Sequence, residues 1–323
     1  MQSERLTPHS DGVPPPRPRS IADSDAFAAA VFSGRPFVGA AALEAGIIGS
    51  HALRSRFSRV LPGIYMATGH DFDAYARVRA VWLWAPRGAV LAGAAAALIH
   101  GEHQASSPEV LRAVDLYVPR HTRSPRGIRI HRLPQPLSES DIVDKHGMRC
   151  TSVSRTALDL ARWQHDPLKA TMAVDAVCNI TNTPVSEVQT YARTTKGLHD
   201  YQRAMGLLEH CDYRAGSPRE TWLRLIIEDS PLPMPDLQVE ISDSASSHIV
   251  TADLAYREEK VALHYDGEHH LDREQRDWDS NVTARLFDEG WLDLRITAGM
   301  LRDPQTLLGR IAEMLRRQGR TDV

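Results

Sequence analysis

From Gly216 to the C-terminal region, signals for successive elements follow one another with little interruption, and their order restricts the fold more than any other feature of the chain. Ser217-Pro218-Arg219-Glu220 has the form of a capping box, with a hydroxyl at the N-cap, proline at the first helical position and an acid three residues on, and predicts a helix through Glu228. Strands are expected at Leu237 to Ile241, Ile249 to Leu254 and Lys260 to Asp266, the first two joined by the turn DSASS and the third ended by Gly267. A helix from Asp272 to Glu289 would carry Trp278, Val282 and Leu286 on one stripe and stop at Gly290. A strand at Trp291 to Ile296 and an amphipathic helix at Arg302 to Arg317 complete an α-β-β-β-α-β-α order, which implies an α/β domain on a small mixed sheet.

Three acids on that frame are placed for chemistry. Asp253 ends the middle strand, Asp266 ends the next, and His264 shares a face with Asp266 because side chains alternate with period two. Glu220 projects from the preceding helix. Phosphodiester hydrolysis by a metal requires hard oxygen ligands converging on one point, and two strand carboxylates with one from a helix can supply them. The imidazole of His270, or His269, can act as general acid or base. Taken singly, Glu220 is also explained as a cap and Asp266-Gly267 as a strand-end turn.

The joint pattern SPRETWLRLII, then Pro235 to Gln238 as PxxQ, then ADLAY, then HYDGEHH, then EGWLDLRI resembles endonuclease-like domains of the PD-(D/E)xK class. These are related to very-short-patch repair endonucleases and are abundant in actinobacteria. The resemblance covers roughly Gly216 to Ile296. It implies that Glu220, Asp253, Asp266 and His270 are catalytic, that Mg²⁺ or Mn²⁺ is the cofactor, and that DNA is the substrate. In that family the third strand usually carries a glutamate where this chain has His264. As a ligand beside Asp253 and Asp266, an imidazole would favour Mn²⁺ over Mg²⁺, which prefers oxygen.

Upstream, Val38 to Ala45 and Ser50 to Arg56 are expected as two short helices around a turn at Gly46, with Ser50 as N-cap of the second. Phe57 to Met66 follows as a β-ribbon broken at Pro62-Gly63. A winged helix-turn-helix is the expectation, with Arg54, Arg56 and Arg59 at the DNA; an arginine-bearing solvated face is the plainer one. The segments SHALRSRFSRVLPGIYMA and AVLAGAAAALIHG resemble the winged-helix part of abortive-infection antitoxins of the AbiEi type, and CTSVSRTALDLA resembles the linker that joins the two parts. Asp71 to Trp84 and Gly88 to His100 are expected as helices, and Val114 to Val118, Arg129 to Arg132 and Arg149 to Ser152 as strands. Arg120, Arg123, Arg126, Arg129, Arg132, Lys145, Arg149 and Arg155 give this middle stretch a local positive excess suited to a phosphate backbone, or to a solvated loop. Helices are expected again at Ser152 to Trp163, Leu168 to Cys178, Val185 to Thr194 and near Tyr201 to Cys211.

Bulk properties agree with several domains. At 323 residues, 42% hydrophobic and 24% charged, the chain can bury more than one core. Its longest apolar run, Gly88 to Ile99, is shorter than the roughly 18 to 20 residues of a membrane span. A proline- and charge-bearing start lacks the apolar core of a secretory signal, so a cytoplasmic location is expected. Cys150, Cys178 and Cys211 are too irregularly spaced for a disulfide framework or zinc knuckle. No GxSxG, GxxxxGK[ST] or GxGxxG occurs, so no nucleotide cofactor is expected. The reading is thus an α/β multi-domain protein. It comprises a disordered lead (1–22), a winged helix-turn-helix domain (23–101), a mixed strand and helix connector (102–215) and a restriction-endonuclease-like domain (216–323). Its expected activity is metal-dependent DNA cleavage, weakened or lost through His264; the alternative is a noncatalytic DNA-binding regulator or antitoxin-like protein with a toxin as partner.

Overall fold

A computed structural model describes residues 28–29, 31–101, 108–119, 123–132, 136–266 and 273–323. The expected lead falls outside them, as do Arg120, Gly267, His269 and His270. The molecule is a mixed α/β protein with sheets of three, four and five strands among the described residues. Its backbone contacts divide it into two compact units, the first running to Ser152 and the second from Val153 to Val323, with a few residues near His100 grouped with the second. No helix among the described residues is long and apolar enough to cross a membrane.

In the first unit, β1 (Phe37–Val38) leads into α1 (Gly39–Glu44) and α2 (Ser50–Arg56), followed by β2 (Phe57–Leu61) and β3 (Ile64–Ala67). The N-cap of α2 is Gly49 rather than Ser50, because the extended backbone that precedes the helix sits one residue earlier. Gly46 at φ +68° turns the chain between the helices, and Gly63 at φ +77° closes the hairpin, as their positions in the sequence suggest. The two-residue β1, absent from the sequence expectation, adds to the hairpin in the order β1-β3-β2. Val31, Phe37, Ala42, Ile48 and Leu53 form the small core beneath.

The Asp73 carboxylate caps α3 (Ala74–Trp84) by accepting from Ala76 N at 2.7 Å. Gly88 to His100, expected as one helix, is instead β4 (Val90–Ala92) followed by α4 (Gly93–His100). The alanine-rich run favours helix locally, but Val90, Leu91 and Ala92 are all buried on both sides, and a continuous apolar stretch is equally suited to a central strand. After α5 (Pro108–Arg112) come β5 (Val114–Tyr117), β6 (Ile128–His131), β7 (Ile142–Lys145) and β8 (Met148–Thr151). Their sheet runs β6-β5-β4-β8-β7, with β4 at its centre.

The second unit begins with four helices: α6 (Val153–Trp163), α7 (Pro167–Ile180), α8 (Val185–Thr194) and α9 (Tyr201–Glu209). Then follow α10 (Pro218–Glu228), β9 (Asp236–Ser242), β10 (His248–Tyr256), β11 (Val261–Tyr265), α11 (Arg273–Asp288), β12 (Leu292–Ile296), the short α12 (Ala298–Leu301) and α13 (Pro304–Arg317). The sheet order is β12-β11-β10-β9, antiparallel except for the parallel β11–β12 pair. Leu254, Val261, Leu263 and Ile296 pack with Leu223, Ile226 and Ile227 of α10 and with Leu307, Ile311 and Leu315 of α13. Ala255 and Ala262 pack instead with Val282 and Leu286 of α11, so the alternating residues of β10 and β11 serve two separate cores.

Candidate functional site

The second unit's site is built where α10 begins and where β10 meets its neighbours. Ser217 caps α10 by accepting from Glu220 N at 3.2 Å, which fixes Glu220 in the first turn. Its carboxylate does not close the capping box on Ser217 N. Glu220 Oε2 instead accepts from Gly216 N at 2.7 Å and from Gln238 Nε2 at 2.8 Å. A Cβ at Gly216 would lie 3.2 Å from that oxygen, so the close approach uses the absence of a side chain there. Glu220 is buried, and burial raises its carboxyl above the usual value against the pull of the Gly216, Ser217 and Gln238 donors.

Asp253 occupies the part of β10 where pairing to β11 ends at Leu254↔Leu263. Beyond that point the Tyr265 N–H donates to Asp253 Oδ2 at 2.7 Å, so a side chain replaces a ladder bond one residue before Asp266. Burial, and secondly the charge of Glu220, push the Asp253 carboxyl up to about 6; the Tyr265 N–H and Arg295 oppose the rise. Two carboxylates stand in a partly desolvated place, each held by donors yet raised, with Arg295 the positive charge that acts on Asp253. Their hard oxygens fit a divalent cation such as Mg²⁺ or Mn²⁺.

Asp266 is exposed, its N–H donating to Ile296 O at 2.8 Å. His264 is buried, with Nε2 3.5 Å from Asp293 Oδ1, and Asp293 Oδ2 accepts from Arg295 Nε at 3.0 Å. His264 Nε2 thus approaches Asp293 of β12. Among the described residues no three His, Cys, Asp or Glu side chains are gathered so that they could hold a metal ion. Glu220 lies close enough for its charge to act on Asp253; the remaining expected members are an exposed Asp266, a His264 beside Asp293, and His270 outside the described residues.

Gln238, quoted in the sequence only within PxxQ, and Asp293 and Arg295 adjoin this site without having been given a role in it. For the last two, the signal was available: in LDLRI the charged residues alternate with apolar ones, which places Asp293 and Arg295 on one face of β12.

In the first unit Arg54, Arg56 and Arg59 are exposed, as are Arg123 and Arg126. Other members of the expected basic stretch are already committed. Arg129 donates through Nε and Nη2 to the buried Asp115, each at 2.8 Å, and His131 Nε2 lies 2.7 Å from the same carboxylate. Arg155 is buried in α6 with its Nε 3.1 Å from Asp159, one helical turn away, so it cannot reach a phosphate. A separate cavity of about 600 Å³, lined by Arg35, Arg79, His70, His146, Asp71 and Asp73 among others, balances two arginines against two aspartates and selects no charge class.

The chain is 29% identical over 173 residues to the uncharacterized proteins MT2308 and Rv2248 of Mycobacterium tuberculosis. The match covers 53% of this chain and 63% of each relative, less than two thirds of their length. No family model and no solved structure matches the chain.

Proposed function

We propose that the protein is a metal-dependent DNA endonuclease of the PD-(D/E)xK kind, with a winged-helix part within residues 23–101 that contributes DNA binding. The observation that carries this reading is the held pair of part-buried carboxylates: Glu220 fixed by Gly216 N and Gln238 Nε2, and Asp253 fixed by the Tyr265 N–H where β10 and β11 part company, with burial raising both. Perturbed carboxylates that share a site are a mark of functional chemistry, and here they coincide with the residues singled out by the family resemblance. Glu220 and Asp253 would hold the cation; Asp266, exposed at the end of β11, is not gathered with them. The cation would supply Lewis-acid activation of water and offset negative charge at the scissile phosphate. The chain's own part is to fix the two carboxylates: Gly216, Ser217 and Gln238 orient Glu220, while the Tyr265 N–H orients Asp253.

The second reading, a DNA-binding regulator or antitoxin-like protein that does not cut, is favoured by one observation. His264 stands where the family has a glutamate, with its Nε2 3.5 Å from Asp293 Oδ1. Supercoiled plasmid incubated with the protein in Mg²⁺, Mn²⁺ or Zn²⁺ separates the two. The nuclease reading expects nicking or linearisation in Mg²⁺ or Mn²⁺, and a large loss in Asp253→Ala, since a metal ligand is removed. DNA binding without cleavage in any of the three metals would establish the regulator instead.

A further inference from the structure

Six non-glycine residues among those described have positive φ: His146, Asn182, Asp200, Gln238, Ser246 and Lys260. Five lie in turns and bends, where left-handed backbone is ordinary. Gln238, at φ +50°, lies inside β9, an edge strand whose other residues keep an unbroken exposed-buried alternation. Left-handed backbone is unfavourable for a residue with a Cβ, and more so within a strand, so a compensating contact is required. The pairs Ala252↔Val239 and Leu254↔Leu237 place Gln238 directly across from Asp253. Its amide Nε2 donates to Glu220 Oε2 at 2.8 Å, on the same oxygen that accepts from Gly216 N.

We propose that Gln238 is the positioning residue of the carboxylate pair, its left-handed backbone directing a side-chain amide onto Glu220 and holding that carboxylate beside Asp253. An extended residue at this place would follow the pleat and leave Glu220 with the Gly216 N–H alone on Oε2. The role in catalysis rests on the nuclease reading; the hold on Glu220 does not. A donor that stabilises the ionised carboxylate also opposes the rise that burial imposes on Glu220, so its removal has a titration signature as well as a kinetic one.

The test uses the full chain and Gln238→Gly, with Gln238→Asn as the second variant, since asparagine tolerates left-handed backbone but is one methylene too short to reach Glu220. Three quantities are read: the thermal midpoint, the titration of ¹³C-labelled glutamate carboxylates in metal-free protein, and Mn²⁺ affinity by calorimetry beside the plasmid assay. Glycine relieves the backbone while deleting the donor. The midpoint of Gln238→Gly is therefore expected at or above that of the wild type, with the Glu220 titration moved to higher pH. Mn²⁺ affinity and cleavage should fall about 10-fold or more, the scale seen when a partner of a metal ligand is lost.

A residue with a merely structural role would lower the midpoint and leave the Glu220 titration in place. Unshifted Glu220 titration with unchanged Mn²⁺ affinity in both variants overturns the positioning role and leaves the nuclease reading standing. If the wild type neither binds Mn²⁺ nor cuts, yet the Glu220 titration moves in the variants, the nuclease reading falls and the positioning of Glu220 by Gln238 holds.

Discussion

Asp253 ties the proposed chemistry to a measurable cost in stability. Its carboxyl is raised from the ordinary value of 3.8 to about 6, first by burial and then by Glu220. Below about 3.8 the group is neutral in both folded and unfolded chains. Between there and about 6 the unfolded chain ionises first, so stability is lost as the pH rises through the folded value, by up to about 3 kcal/mol for a shift of this size. The metal-free protein is accordingly expected to melt at a higher temperature at pH 5 than at pH 7.5. Mn²⁺, which needs the ionised form, should reverse the trend by raising the midpoint at pH 7.5 and hardly at all at pH 5. Scanning calorimetry at the two pH values, with chelator or with Mn²⁺, checks both signs. A midpoint insensitive to Mn²⁺ at pH 7.5 would remove Asp253 from any metal site. Glu220 was legible as a candidate because a capping pattern is visible in residue order; Asp253 was expected at a strand end, whereas β10 runs on to Tyr256. Gln238 was visible only as the last residue of PxxQ, and its hold on Glu220 was not, since a positive φ inside a strand leaves no mark on an exposed-buried alternation.

The element that presents Glu220 is held from the other side by a buried ionic cluster. Asp175, on α7, accepts from Thr221 Oγ1 and Arg224 Nη2 of α10, both at 2.9 Å, and from Asp212 N at 2.8 Å. Asp175 and Arg224 are both buried, so the pair pins α10 to the helices that precede it. Deleting one partner leaves the other charge stranded in the interior, a change that costs about 3–5 kcal/mol. Asp175→Ala is therefore expected to lower the thermal midpoint by on the order of 10 °C. If it alters the midpoint by less than about 2 °C, the cluster does not anchor α10. Whether an element was legible followed how locally it is determined. α8 and α10 were placed well because caps and periodicity lie within their own residues. β4 was hidden in an alanine-rich run because only its pairing with β5 and β8 makes it a strand. β7 was missed because IVDK is a short, largely exposed edge strand without an apolar alternation.

At the scale of the molecule, charge is divided along the chain in a way that the overall −3 conceals. Residues 35–152 carry 15 Lys and Arg against 9 Asp and Glu, a net +6, whereas residues 153–323 carry 20 against 28, a net −8. Acids that gather a cation repel phosphate, so in the proposed function the first unit must supply the attraction for the DNA backbone. Only arginines whose charge is not already cancelled can release counterions from the duplex, and this distinguishes exposed Arg54, Arg56 and Arg59 from Arg129, which is held in two hydrogen bonds by Asp115. Binding of labelled duplex, followed by anisotropy between about 50 and 200 mM salt, should give a log–log slope of about −0.9 for each phosphate neutralised. Replacing all three exposed arginines by alanine should make the slope shallower by about 2.7 and weaken binding most at low salt. Arg129→Ala should leave the slope unchanged. If the triple variant kept the wild-type slope, α2 and the β2–β3 hairpin would not be the DNA-binding face. If Arg129→Ala flattened the slope, its charge would be reaching phosphate in the complex despite Asp115, and the partition of arginines by their partners would fail.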